Sequence, residues 1–491
     1  MNRSIKGGLC YMKKKLISVF MSVVVLTTIL IGCSSTDTPA SQAPAEQAPA
    51  AKEEAAPAPA PASDEAASAP AGEQLPLIGS GALTYDPNVP VNNGEAITLV
   101  FGQFDHEGGY ERHLRAMQDY MAMHPNVTFD IDGTLGWGDY WTRLPISVSS
   151  GQGPDLMHFH LNWYTEFVPY LAEPFPADMK EAVLKDFNGV EPFMYGGELY
   201  TIPVGNMTGA MFYNKTLWAE AGLTDADIPK TWDQFREVAI KLTGNGVDGF
   251  EMPDGWLMLA MNYQNGHNIF EADGKHTQLY NPGMIQAAQL LQDFVHVDKI
   301  SSVSSTGANE NFAAGNSAMR YAWTWYASWL NGNAPNLDWG IFPTPTFDGT
   351  RVVDRNNPEV SPLVNVNAPE ANKAVAMDFL RFYLASDEYQ AELCDKAFVS
   401  PTKKSCVGSS VFANNHVVNT ISGYMDNTVW VGILTGAFDD FVGQILNDEI
   451  ILQGKEVEGV LQYFDSEMSK RVGDAEIPAA ERLSSLASFL K

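Results

Sequence analysis

An α/β fold built as two lobes is what the sequence predicts, on two observations. Between Ala96 and His160, apolar residues alternate between a period of two and a period near 3.6. That is the pattern of strands interleaved with helices over a mostly parallel sheet. Sequence of folded character then runs for about 400 residues, more than one hydrophobic core normally serves. No internal repeat interrupts it.

The first 32 residues hold no acid and five bases, Arg3, Lys6, Lys13, Lys14 and Lys15, and an apolar run follows from Leu16 to Ile31. A basic stretch before a short apolar one has the form of a secretory leader. Leu30-Ile31-Gly32-Cys33 closes it. This tetrapeptide resembles the bacterial lipoprotein box, in which the cysteine is lipidated and becomes the new N-terminus. Met12, before three lysines, is an alternative start. Residues 34–73 hold 15 Ala and 7 Pro, with no aromatic and no branched aliphatic side chain. Such a segment buries too little apolar surface to offset its ordering entropy, so the tether from Cys33 to residue 94 is expected to be a disordered spacer.

Ala96–Phe101 is a short apolar run and reads as a buried strand. Tyr110, Leu114, Met117 and Met121 recur at helical spacing and stop before His124-Pro125. Val127, Phe129 and Ile131 alternate as in a half-buried strand. A helix over 139–150 and a strand over 156–160, opened by Gly153-Pro154-Asp155, complete the series. Thr231 with Gln234 forms a capping box, starting a helix with Phe235, Val238, Ala239 and Leu242 inward. Asn281-Pro282 starts another, with Met284, Ala288, Leu291 and Val295 inward. Residues 370–395 read as two helices split near Ser386. Residues 445–472 read as helical, with Val457, Leu461, Phe464 and Met468 inward.

The chain of 491 residues carries 59 acids and 30 bases, a net charge of −29 that becomes −34 once residues 1–32 are removed. An acidic balance of this size argues against nucleic acid as a partner. No stretch after the leader is long and apolar enough to span a bilayer. Cys394 and Cys406 lie twelve residues apart, and outside the membrane they are free to form a disulfide or to stand as separate thiols. No Cys-x-x-Cys pair, hydrolase elbow, phosphate loop or His-Glu-x-x-His occurs. His158 and His160 alternate, but without a third ligand they read as a hydrogen-bonding pair and not a metal site. Neither a metal nor a cofactor is expected, and no catalytic residue is nominated.

Five segments in fixed order are more telling. They are GGELYTIP (196–203), FYNKTLWAEAGL (212–223), PKTWDQF (229–235), ENFAAGNSAMRYAWTW (310–325) and WGIFPTPTFDG (339–349). With Gly153-Pro154-Asp155 and the lipoprotein box, they make residues 95–491 resemble the extracellular solute-binding lipoproteins of ABC importers, in the sugar-binding branch that includes maltodextrin-binding proteins. The resemblance implies a periplasmic-binding-protein-like fold of type II: two α/β lobes around a ligand cleft, joined by a hinge of three crossovers near 206–211, 342–347 and 406–423. It divides the chain into a signal at 1–32, the spacer at 33–94, a first lobe from 95–208 and 346–410, and a second lobe from 209–345 and 411–491.

The same resemblance implies a carbohydrate ligand, an oligosaccharide or glycoside, handed to a membrane permease by a monomeric protein that faces outward on a lipid anchor at Cys33. Sugars present C–H faces to aromatic rings and hydroxyls to fixed polar groups. By their place against the family motifs, the ligand residues are Phe104, Asp105, Phe159, His160, Asn162, Trp163, Asn206, Thr208, Trp325 and Trp430, with Trp256 and Asn265 as looser candidates. Met207 and Asn162 stand where the maltodextrin pattern has acids, which argues against maltose. Two other readings compete: the same fold around a polyamine or an oxyanion, and a secreted glycosidase with a carboxylate pair across the cleft.

Overall fold

The computed structural model describes residues 74–104, 111–168, 170–271, 276–302, 307–347, 352–432 and 442–472. The leader, the lipoprotein box with Cys33, most of the spacer and Asp105 lie outside them.

In chain order the first half contains β1 (Ile97–Phe104), α1 (Glu111–Met123), β2 (Val127–Leu135), α2 (Trp137–Ser149), β3 (Leu156–Met157), α3 (Tyr164–Phe167), α4 (Ala177–Asp186), β4 (Met194–Tyr195), β5 (Glu198–Leu199) and β6 (Pro203–Asn214). Then come α5 (Lys215–Glu220), α6 (Trp232–Leu242), α7 (Gly255–Gln264), α8 (Pro282–His296), α9 (Ala308–Ala313), β7 (Met319–Trp323), α10 (Tyr326–Asn333), β8 (Trp339–Phe342), β9 (Asp354–Val360) and β10 (Leu363–Val364). The chain continues through α11 (Glu370–Ala385), α12 (Asp387–Ala397), β11 (Ser400–Pro401), α13 (His416–Ser422) and β12 (Thr428–Trp430), then a π-helix over Val442–Leu452 and α14 (Val457–Val472).

One sheet has the order β10-β3-β1-β2, with β1 parallel to both β2 and β3. Its hydrophobic core draws on residues from Leu83 to Val204 and again from Val360 to Leu393. A second core takes residues from Met211 to Val352 and from Val429 to Met468. Long β6 joins the two. Residues 203–208 pair with β9 and those from 209 on pair with β7 and β8. Alternation along β6 sends Met211 into the second core and Ala210 and Phe212 into a cluster on the sheet's opposite side. β9 makes the return passage, antiparallel to β6, from Val352 and Val353 at one end to Val360 in the first core. A third passage follows α12, where Met207, Cys394, Val399, Cys406, Phe412 and Val418 pack together. Gly205 permits this contact: a Cβ there would stand 2.3 Å from Val399 Cγ2.

The helix signals behave as their physics requires. Thr231 and Gln234 close a reciprocal capping box on α6, Asn281 accepts from the Met284 amide at the start of α8, and Ser386 caps α12 after ending α11.

Four expectations are corrected. The spacer does not extend to residue 94: Leu83, Tyr85 and Val91 are buried in the first core. The Asp186 carboxylate accepts from the amides of Ala82 and Leu83, and the Tyr85 hydroxyl donates to Asp378 at 3.0 Å. The strand expected over 156–160 is two residues long, because β10 pairs only with Leu156 and Met157. The C-terminal helix is broken at 453–456, between the π-helix and α14. On α8 the inward position is Phe294 and not Val295, which is only partly buried. Cys394 and Cys406 are both buried free thiols, donating to the carbonyls of Val204 and Asp387.

Candidate functional site

The carboxyl ends of β1 and β3 carry an aromatic basin. Phe104 ends β1 and stacks on the His158 imidazole, 4.7 Å between centroids and 27° between planes. Trp137 opens α2 and meets Phe104 edge-on at 4.9 Å. One turn on, Trp141 lies flat against Trp163, 4.1 Å away and tilted by 7°. His160 stands between Trp137 and Trp163, with centroids at 5.1 Å and 6.0 Å. Trp137 is 38% exposed, so the basin reaches solvent there. Burial pushes the His160 imidazole down to about 4, against the pull of Glu359 and with help from His158. It is therefore neutral at ordinary pH, able to donate and to accept.

A second aromatic group belongs to the other core. The Arg355 guanidinium, on β9, lies 5.0 Å from the ring centroids of both Trp256 and Trp323. It also donates to the Trp256 carbonyl at 2.9 Å. A cation between two indoles is held by their quadrupoles. Asp254 caps α7 by accepting from the Leu257 amide. Burial raises its carboxyl while Arg355 and Arg320 draw it down. Trp323 and Trp325 both flank the Met207 cluster at the crossing strands.

Strand alternation relates the two groups. Arg355, Asn357 and Glu359 share one face of β9, and the register places Met207 opposite Asn357 and Gly205 opposite Glu359. Glu359 reaches His158 at 3.5 Å. One face of one strand thus touches the basin at its far end and the Trp256–Trp323 pair at its near end.

The nominated residues fall into three sets. Phe104, His160 and Trp163 are in the basin, and Trp256 and Trp325 are on the opposite side. Phe159 is 2% exposed and packs on Phe167, a core position. Thr208 is buried and donates to the Arg355 carbonyl at 2.8 Å, while Asn206 pairs with Pro358 and Ser400; both belong to the crossing sheet. Asn265 is at the far end of α7 from Trp256, donating to the Gly283 carbonyl. Trp430 stacks on Phe193 of the first core. Its register partner is Asn356, so it lies on the face of β9 opposite Arg355 and Glu359. The Asn162 backbone is in the short turn before α3. Sequence reasoning missed Trp137, Trp323, Arg355 and Glu359. A tryptophan six residues after another strand's end, as at Trp141, was the available signal for the basin. An open groove of about 650 Å³ along α9 and α10, lined by Glu310, Trp329, Asn333 and Leu337, contains none of the nominated residues.

The family model described as bacterial extracellular solute-binding protein matches residues 109–391. The maltotriose-binding protein of Pyrococcus abyssi is 22% identical over 369 residues, 72% of this chain and 78% of that protein. Among solved structures, UgpB from Mycobacterium tuberculosis in complex with glycerophosphocholine superposes with a TM-score of 0.68 at 18% identity, covering 77% of this chain and 99% of that one. Maltose-bound MalE3 of T. maritima gives 0.66 at 18% identity, covering 77% and 100%. These likenesses establish the two-lobed α/β fold.

Proposed function

The chain belongs to the bacterial extracellular solute-binding proteins, and from that premise we propose that it captures a carbohydrate, an oligosaccharide or glycoside, and delivers it to the permease of an ABC importer. The observation that carries this reading is the pairing of two aromatic groups, Trp137–Trp163 and Trp256–Trp323, across a polar strand face bearing Asn357 and Glu359. Flat rings suit the C–H faces of a pyranose, and the amide and carboxylate suit its hydroxyls. The maltotriose of the Pyrococcus relative agrees in class.

Binding involves no chemical step. The ligand enters between the cores, contacts one aromatic group, and closure about β6, β9 and residues 399–418 brings in the other. Contacts made only in the closed form supply the differential affinity that closure requires. The protein works as a monomer on the outer face of the membrane, held by lipid at Cys33; two acyl chains suffice for stable anchoring.

A thermal-shift panel tests the reading: maltose, maltotriose, arabinotriose, cellotriose and raffinose, with spermidine and glycerophosphocholine as the non-sugar arms. A ligand at a hundredfold its Kd adds about 2.7 kcal/mol of apparent stability. Stabilisation by a sugar supports the proposal. Stabilisation by spermidine or glycerophosphocholine alone would replace it with the non-sugar reading.

A further inference from the structure

Arg355 is held in the way a protein holds a ligand cation. It is 2% exposed, and its guanidinium lies 5.0 Å from the ring centroids of both Trp256 and Trp323. Its Nη2 donates to the Trp256 carbonyl at 2.9 Å, while its Nε has no hydrogen-bond partner. Two indoles over one cation is the arrangement of an aromatic cage. The setting is negative as well: burial raises the carboxyls of Asp254 and Asp354, and Arg355 draws both back down. Trp256 comes from the start of α7 and Trp323 from the end of β7, and each is partly exposed. The cage therefore borders solvent, while the cation inside it does not.

We propose that Arg355 is a specificity-determining residue, a resident cation that fills an aromatic cage in the second core and denies it to cationic solutes such as polyamines and quaternary ammonium ions. The cage stands on its own geometry; that it faces the solute rests on the carbohydrate reading, which this deepens. A second cation arriving there would meet like charge and find the ring faces toward Arg355 already taken. A neutral sugar brings no charge to be repelled, and the exposed parts of both indoles remain for its C–H faces. Discrimination of this kind works by obstructing the wrong solute as much as by attracting the right one. Without the arginine, two indoles and the carboxylates of Asp254 and Asp354 would surround a gap shaped like a guanidinium, and these are the components of a cation site.

Thermal melting of the wild-type protein and of Arg355→Ala tests this, with millimolar guanidinium, tetramethylammonium or urea, each against sodium chloride at equal ionic strength. Guanidinium and tetramethylammonium should raise the melting temperature of the variant by about 2–4 °C and leave that of the wild type unchanged. Urea, which has the shape of guanidinium without its charge, should raise neither. Isothermal titration should show spermidine binding the variant about tenfold more tightly than the wild type. Should Arg355→Ala fail to fold, Arg355→Gln, which keeps the stem and ends short of the guanidinium position, takes its place; refolding of either variant with guanidinium and not with urea is the same result. The assignment is overturned by a folded variant that gains no affinity for these cations, by rescue with urea equal to that with guanidinium, by variants that no cation helps to fold, or by a wild type that takes the cations as tightly as the variant. A wild type that binds no sugar of the panel overturns the carbohydrate reading instead, and the cage then stands or falls by the cation results alone.

Discussion

The Trp430 indole lies parallel to the Phe193 ring, 5.4 Å between centroids and 6° between planes. Trp430 arrives on β12 beside β9, whereas Phe193 is deep in the first core. A ring face committed to such a stack is packing surface. Trp430→Ala is therefore expected to lower stability by about 2–3 kcal/mol, through lost burial and the lost aromatic pair. Sugar affinity should change little. Urea unfolding beside calorimetric titration separates the two, and a large affinity loss at unchanged stability would return Trp430 to the binding site.

Trp325 is expected to behave in the opposite way. It is partly exposed, borders the Met207 cluster and meets Tyr326 edge-on at 6.1 Å. Trp325→Ala should weaken sugar binding by about 1–3 kcal/mol and leave the melting temperature close to that of the parent. A melting temperature that drops sharply with affinity intact would count against it.

The segment before β1 acts as a strap. Leu83 is fully buried and its amide is held by Asp186, on the last turn of α4. Leu83→Ala should cost about 2–5 kcal/mol. A protein beginning at Gly94 should melt well below one beginning at Gly72. Equal melting temperatures would show that the strap contributes nothing.

Three histidines, His124, His160 and His416, are held below the ordinary imidazole range by burial. The unfolded chain takes up their protons near pH 6.5, while native His160 waits until about 4. In that window the unfolded state binds more protons, so stability is full above pH 6.5 and is lost as pH falls. For His160 the slope reaches about 1.4 kcal/mol per pH unit; His124 and His416 act in the same direction. Denaturation midpoints at pH 7.5 and 5 should differ, and His160→Asn should narrow the gap. A midpoint independent of pH would refute the effect.

Anchoring is checked at Cys33, which follows the basic and apolar leader. Cys33→Ala should release the protein into the medium. A variant that still sediments with membranes after a carbonate wash would rule out the lipid.

What the sequence revealed and what it hid divide along a physical line. Caps and apolar periods are local, so the starts of α6 and α8 and the split at Ser386 were legible. β9 was not. Its sequence, Asp-Arg-Asn-Asn-Pro-Glu-Val, has neither an apolar period nor strong strand formers, and it becomes a strand because β6 and β12 pair with it on both sides. The polar floor was hidden with it, since Arg355 and Glu359 acquire meaning only when Trp256, Trp323 and His158 arrive from distant segments. The strap was hidden likewise, because its turn-rich sequence has too few apolar residues to mark a core. Phe159 misled in the other direction: motif position nominated it, and packing on Trp141 and Phe167 claimed it.

The two cores are threaded through each other along the chain, the first closing only with residues near Leu393 and the second only with those near Met468. During synthesis the nascent chain would therefore hold two unfinished apolar surfaces at once, each missing a piece that has yet to leave the ribosome. The bond from Thr208 to Arg355 spans 147 residues, and closing loops of that size is slow. Neither core can therefore be complete before its last segment is made, so an exported chain would leave the ribosome with both cores unfinished until late in synthesis.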